Sequence, residues 1–116
     1  MPDIFEKAKE LKKLLEESDE YKDYIKARET ALSDIVNQRL IRSYKALQNE
    51  IQREMMANES VDPEKEKRLK EIMYICYDNA DIADYLMKEM AYQSLISKTI
   101  KIITQSSGVN DMLELD

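Results

Sequence analysis

Apolar residues recur every three or four positions along most of this chain, which is the spacing of a stripe on one side of an α-helix. The longest stretches of this kind cover residues 35–57 and 80–105, and a shorter one covers residues 3–17. The pattern predicts an all-α protein in which two long helices supply much of the apolar surface. In chain order, the three stripes are Ile4, Ala8, Leu11 and Leu15; Val36, Leu40, Tyr44, Leu47, Ile51 and Met55; and Ile82, Leu86, Met90, Ile96, Ile100 and Ile103.

Helix starts are marked by residues whose side chains accept hydrogen bonds from the first backbone N–H groups. Ser18, which precedes two acids, predicts a second helix, and Asn79 predicts the start of the last one. Residues 58–62 interrupt the pattern, and Pro63 then predicts the start of a further helix. Ser33-Asp34 is a weaker signal that allows either a kink or an uninterrupted helix. The chain has one glycine and two prolines, so tight turns are scarce and we predict an antiparallel bundle of about five helices.

Two short segments of the chain resemble each other. Residues 18–25 (SDEYKDYI) and residues 79–86 (NADIADYL) each join a helix cap to an Asp-Tyr-aliphatic sequence. The similarity indicates either two related helix-turn-helix halves, which could lie antiparallel and share a core, or two helix starts that obey the same rules. The length and apolar content suit one domain, predicted for residues 1–105, followed by a flexible acidic tail at residues 106–116.

Residues 72–77 (IMYICY) are apolar on every side of a helix, so we predict that this segment is helical and wholly buried. Within it, Cys76 lies at helical spacing from Leu69, Ile72 and Met73 and is expected to point into the core as a small hydrophobe. Three tyrosines on the apolar stripes are also expected in the core, with their hydroxyls at its rim: Tyr24, Tyr44 and Tyr85.

The chain contains no histidine, and this removes Ser-His-Asp and Cys-His catalysis and histidine-based zinc and di-iron sites. One glycine cannot build the glycine-rich loops that bind nucleotide phosphates. One cysteine excludes an intramolecular disulfide and fits a reducing cytoplasm. The first residues do not resemble a secretory signal, and no apolar run reaches membrane-spanning length. We therefore predict a cytoplasmic protein that is not an enzyme and uses no cofactor.

Three acids near the start of the last helix are the remaining candidates for a metal site. Asp78, Asp81 and Asp84 are spaced by three and could gather a hard cation. No calcium-loop pattern with its central glycine surrounds them. Helix capping and solvation explain these residues better, so no metal site is predicted.

Methionine and tyrosine are frequent in this chain, with seven residues of each. Both suit binding surfaces, because methionine adapts to varied partners and tyrosine is enriched at interfaces. Several of them lie off the core stripes or cover more than one face of a helix. The candidate interaction surface comprises Met55, Met56, Met87, Met90, Tyr92, Leu95 and Ile102.

A row of basic residues on one predicted helix allows an alternative in which the protein associates with RNA. The row consists of Arg39, Arg42, Lys45 and Arg53. Glu50 and Glu54 lie among them, and the net charge of −6 opposes approach to a phosphate backbone. A solvated helix face explains the row better than a nucleic-acid site, so nucleic acid is not the partner that we expect.

The order of these segments is similar to that of the YlbF/YmcA family of small bacterial helical proteins, over about residues 4–104. The matching features are Ser-x-x-Tyr-x-x-Tyr from Ser18, the aspartate at position 34, Asn-x-x-Ile-x-x-Tyr-Leu from Asn79, and the closing isoleucines from Ile96. The resemblance implies an antiparallel helical fold that associates into dimers or larger oligomers in the cytoplasm.

The same resemblance implies a role in the control of competence, sporulation and biofilm formation. Some family members act with paralogues in a complex that influences messenger RNA maturation through ribonuclease Y, and some of those complexes carry iron-sulfur clusters. This chain departs from the last feature, because Cys76 alone cannot hold a cluster within one chain. We therefore expect a regulatory helical oligomer that binds protein partners without a cluster.

Overall fold

The computed structural model describes residues 3–105, which form five α-helices and, within that range, no strand. They are α1 (Ile4–Glu16), α2 (Asp19–Leu32), α3 (Ile35–Met56), α4 (Pro63–Tyr77) and α5 (Ala80–Gln105). The predicted all-α class and the two long helices are confirmed. The predicted helix end at residues 106–108 and the acidic tail at residues 106–116 lie outside the described residues, and the single domain over residues 1–105 stays a prediction.

Local hydrogen bonds explain where the helices begin. The Asp34 carboxylate accepts bonds from the backbone N–H groups of Val36 and Asn37, at 2.7 and 3.3 Å. The backbone of Asp34 is extended, so Ser33-Asp34 is a true boundary between α2 and α3. The Ser18 hydroxyl accepts from the Tyr21 N–H at 3.2 Å and starts α2. These side chains satisfy N–H groups that have no partner within the first turn.

The described residues form two compact units, which we name here. The central unit consists of residues 27–86, and the terminal unit consists of the described residues 3–26 and 87–105. Both α2 and α5 contribute to each unit. Among residues 3–105, all of the buried hydrophobic side chains belong to the central unit: Ala27, Ala31, Ile41, Tyr44, Leu47, Ile51, Cys76, Ile82, Tyr85 and Leu86.

The central unit is built on an antiparallel pair, α3 and α4. At one end of the pair, Lys65 forms an ion pair with Glu54. At the other end, Asn79, which follows α4, donates a hydrogen bond at 3.0 Å to the side-chain oxygen of Asn37. The start of α4 therefore lies beside the end of α3, and its end lies beside the start of α3.

The prediction that residues 72–77 are wholly buried is wrong, although the segment is helical as expected. Only Cys76 is buried in it; Tyr74 is 70% exposed, and Ile75 and Tyr77 are also exposed. A helix packed on α3 through one side leaves its other side in solvent, however apolar the sequence is on both.

The ends of the predicted stripes are also exposed. Val36 and Met55 lie near the two ends of α3 and are open to solvent, whereas Asn37 and Ile41, which were not predicted in the core, are buried. Among the three tyrosines expected in the core, Tyr44 and Tyr85 are buried and Tyr24 is half-buried. The predicted burial of the α3 stripe was correct in the middle of the helix, where neighbouring helices surround it.

Candidate interaction surface

None of the side chains described in the terminal unit is buried, although α1 and the second half of α5 are rich in apolar residues. Ile4 is the most exposed of its large apolar residues, at 79%. Monomeric proteins seldom leave a large contiguous apolar area open to water, and such areas mark binding surfaces. The exposed large apolar residues of the terminal unit, which we call its apolar surface, are Ile4, Phe5, Leu14, Met87, Met90, Ile100, Ile102 and Ile103.

An aromatic cluster connects the helices of the terminal unit. The ring of Tyr92 stacks on that of Tyr24 at a centroid distance of 5.7 Å and tilts against that of Tyr21 at 5.1 Å. Partial burial raises the pKa of the Tyr92 hydroxyl, with smaller contributions from Tyr21 and the carboxylate of Glu16. The cluster therefore joins α2 to α5 and brings the end of α1 close to the same ring.

The structure distributes the candidate surface residues over both units. Met55 and Met56 lie at the end of α3 in the central unit and are exposed. In the terminal unit, Met87, Met90 and Ile102 are exposed, whereas Tyr92 and Leu95 are half-buried. Sequence reasoning missed Ile4, Phe5 and Leu14 of α1 as surface residues. Hydrophobicity could not reveal their exposure, since a stripe predicts an apolar face and does not say what covers it.

The basic row on α3 is interrupted in the structure. The ammonium group of Lys45 donates a hydrogen bond to the Tyr85 hydroxyl at 3.0 Å and lies 5.0 Å from the centre of the same ring. This contact combines a hydrogen bond with a cation–π interaction inside the central unit. Arg39, Arg42 and Arg53 remain exposed, so three members of the row face solvent.

Two of the three aspartates around residue 80 lie at helix ends. Asp78 is the C-terminal cap of α4, and Asp81 lies in the first turn of α5. Between residues 3 and 105, no three histidine, cysteine, aspartate or glutamate side chains are grouped closely enough to hold a metal ion. Over the same range, every helix is too short or too polar to cross a membrane.

Cys76 lies in the core of the central unit with none of its surface exposed, as predicted. Burial raises the pKa of its thiol, because the thiolate would lose its hydration. Alkylation requires the thiolate and an open path to it.

We expect iodoacetamide at pH 8 to modify native Cys76 at least about tenfold more slowly than the same cysteine in urea-unfolded protein. Mass spectrometry of quenched time points gives both rates. Equal rates in the folded and unfolded protein would contradict the buried position of this thiol.

Comparison with known proteins places these features in a family context. Residues 4–106 match the family model described as control of competence regulator ComK, YlbF/YmcA. A UPF0342 protein of Symbiobacterium thermophilum is 29% identical over 107 residues, which cover 92% of this chain and 96% of the relative. A UPF0342 protein of Desulfitobacterium hafniense is 30% identical over 112 residues, which cover 97% and 89% of the two chains.

Two solved structures share the fold. A protein of unknown function (DUF964) from Bacillus stearothermophilus superposes with a TM-score of 0.78 at 15% identity, covering 92% of this chain and 95% of that one. Bacillus subtilis RicA, solved in complex with RicF, superposes with a TM-score of 0.59 at 18% identity and covers 96% of each chain.

Proposed function

Because this chain belongs to the YlbF/YmcA family, whose description is the control of a competence regulator, we propose that it is a non-enzymatic regulatory protein. It acts by binding proteins, including further copies of itself, through the apolar surface of its terminal unit. Its proposed location is the cytoplasm. Its proposed partners are paralogues of the same family and an RNA-processing complex of the ribonuclease Y type, in pathways of competence, sporulation and biofilm control.

The absence of buried side chains in the described terminal unit is the observation that carries this proposal. Each of its eight exposed large side chains presents on the order of 100 Å², and a standard protein interface buries roughly 800 Å² on each partner. The summed apolar area of these side chains is therefore comparable with what one partner buries in a stable interface. Covering the apolar surface removes apolar area from water, which is the main driving force for association.

The fold shared with RicA supports binding to a different protein as well as to a second copy. RicA was solved in complex with RicF, so a chain of this fold can take part in a complex between two proteins. The alternative of an RNA-associated factor has less support, because Lys45 is engaged by Tyr85 and the net charge is −6.

Self-association has a direct test in solution. We expect the wild-type protein to elute as a dimer or larger oligomer at micromolar concentration. The double variant Ile100→Glu/Ile103→Glu is expected to shift it to monomer, since two carboxylates in an apolar interface lose their hydration without a partner. Gel filtration with multi-angle light scattering measures the mass.

The matched control is Ala57→Glu/Ser60→Glu, which adds the same charge at exposed positions of the central unit and should leave the mass unchanged. Circular dichroism checks that both variants keep their helices. A wild-type protein that remains monomeric throughout the micromolar range would refute self-association.

A further inference from the structure

A groove runs between α3 and α4 in the central unit, apart from the apolar surface described above. It has a volume of about 410 Å³, and its floor is formed by Leu47 of α3 and Ile72 of α4. The small side chains of Ser43 and Ala46 line it on α3. Small residues allow the backbone of a bound segment to approach closely, so the shape suits an elongated ligand.

A second concavity, of about 520 Å³, adjoins this groove. Both are lined by Ala46 and Arg53, and the second continues along α3 to Met56. We call these two neighbouring concavities the arginine groove. From Arg39 to Arg53 the helix rises by roughly 21 Å, the length of a four-turn helix.

Four arginines lie in or beside the arginine groove, although Glu64 and Glu71 share a neighbouring concavity with Arg68. Arg53 and Arg68 line the arginine groove from α3 and α4. Arg39 and Arg42 precede Ala46 by seven and four residues, so helical spacing places them on the same face of α3. Within residues 3–105, none of these four guanidinium groups forms an ion pair.

Only one acid lines the groove, and a cation lies near it. Glu50 is the acid among the described lining residues. The pKa of the nearby Lys65 ammonium group is raised mainly by its hydrogen bond to Glu54, with smaller contributions from the charges of Glu50 and Asp62. The chain as a whole carries a net charge of −6. The arginines therefore attract an acidic ligand to this face locally, whereas the net charge of the chain opposes its approach elsewhere.

From this combination we propose that the arginine groove binds an acidic amphipathic helix of about four turns from a partner protein. Its apolar side would cover Ala46, Ile72 and Met56, which line the groove and are exposed or half-buried, and its carboxylates would meet the guanidinium groups at the rim. Arginine suits this role because its planar group binds carboxylates in a bidentate manner. An apolar floor without an aromatic ring fits such a helix better than single-stranded RNA, whose bases stack on aromatic side chains.

This inference rests on the proposed function in one respect, because it names the chemistry of a protein partner. It uses different residues, so the two proposals fail separately. Loss of self-association would not affect peptide binding at the groove. Loss of peptide binding would not affect the oligomeric state.

The test is fluorescence anisotropy with a dye-labelled, capped 16-residue peptide that places leucines on one side of a helix and glutamates beside them. The peptide is expected to bind the wild-type protein, and Arg53→Glu/Arg68→Glu is expected to weaken the affinity by about tenfold or more. The control Lys98→Glu/Lys101→Glu makes the same charge change at exposed positions of the terminal unit and should alter affinity by less than about twofold.

Two further probes separate the alternatives. The first is the same peptide with lysine in place of glutamate, and the second is a 16-nucleotide single-stranded RNA. Neither is expected to bind. Failure of the acidic peptide to bind wild-type protein, equal weakening by the control variant, or preferential binding of the RNA would each overturn the proposal.

Discussion

Ile82→Ala is expected to lower the free energy of unfolding by about 2–5 kcal/mol, the range measured for truncating large aliphatic side chains in protein cores. Ile82 lies in the first turn of α5 and has no exposed surface. The substitution removes buried methyl and methylene groups and leaves a cavity that neighbouring helices fill only in part. Urea unfolding followed by far-UV circular dichroism measures the loss, at one fixed protein concentration because association also stabilises the folded state.

Ile35→Ala is the matched control, because it removes the same atoms from a side chain that is 58% exposed. Ile35 is the first residue of α3, where alanine preserves the helix. We expect this variant to lose less than about 1 kcal/mol. Equal losses for the two variants would show that Ile82 does not occupy the core.

Asn79→Ala is expected to lower the free energy of unfolding by about 2–4 kcal/mol, because the Asn79 side chain makes two kinds of hydrogen bond. Its side-chain oxygen accepts hydrogen bonds from the backbone N–H groups of Asp81 and Ile82, at 3.1 and 3.2 Å, and so caps α5. Its amide group donates to the buried Asn37 at 3.0 Å. Alanine removes the cap and leaves a buried amide oxygen without this donor. Urea unfolding measures the total.

Asn79→Asp separates these two contributions. Aspartate keeps an acceptor at the start of α5, where a negative charge is also favourable, but it cannot donate to Asn37. We therefore expect Asn79→Asp to lower the free energy of unfolding, but by less than Asn79→Ala does. If alanine and aspartate were equally harmful, the cap would contribute nothing; if aspartate were harmless, the bond to Asn37 would contribute nothing.

Asn79 and Asn37 show which features of the core could be predicted from the sequence and which could not. The cap at Asn79 was predicted, since capping depends on residues two and three positions away along the chain. The burial of Asn37 was not predicted, because its partner is 42 residues distant. A polar residue within an apolar stretch of a helix is the only signal that the sequence offered.

The candidate interaction surface was likewise predicted in part and missed in part. Met87, Met90 and Ile102 were proposed as surface residues because α5 is apolar on several sides, and they are exposed. The exposure of Ile4 was missed because it lies on the regular apolar stripe of α1, which suggested a core position. The arginine groove could not be predicted, since Arg53 and Arg68 are brought together only by the packing of α3 on α4.

By itself, the sequence left open whether α2 and α3 are separate helices, but it determined the helical class and the other helix starts. These features follow from hydrogen bonds and periodicity within a few residues of one chain segment. The tertiary structure decided which apolar faces are covered. It buried Cys76 beside an exposed Tyr74, and it left the terminal unit without a buried side chain. Burial depends on which other segments come near, and no local pattern contains that information.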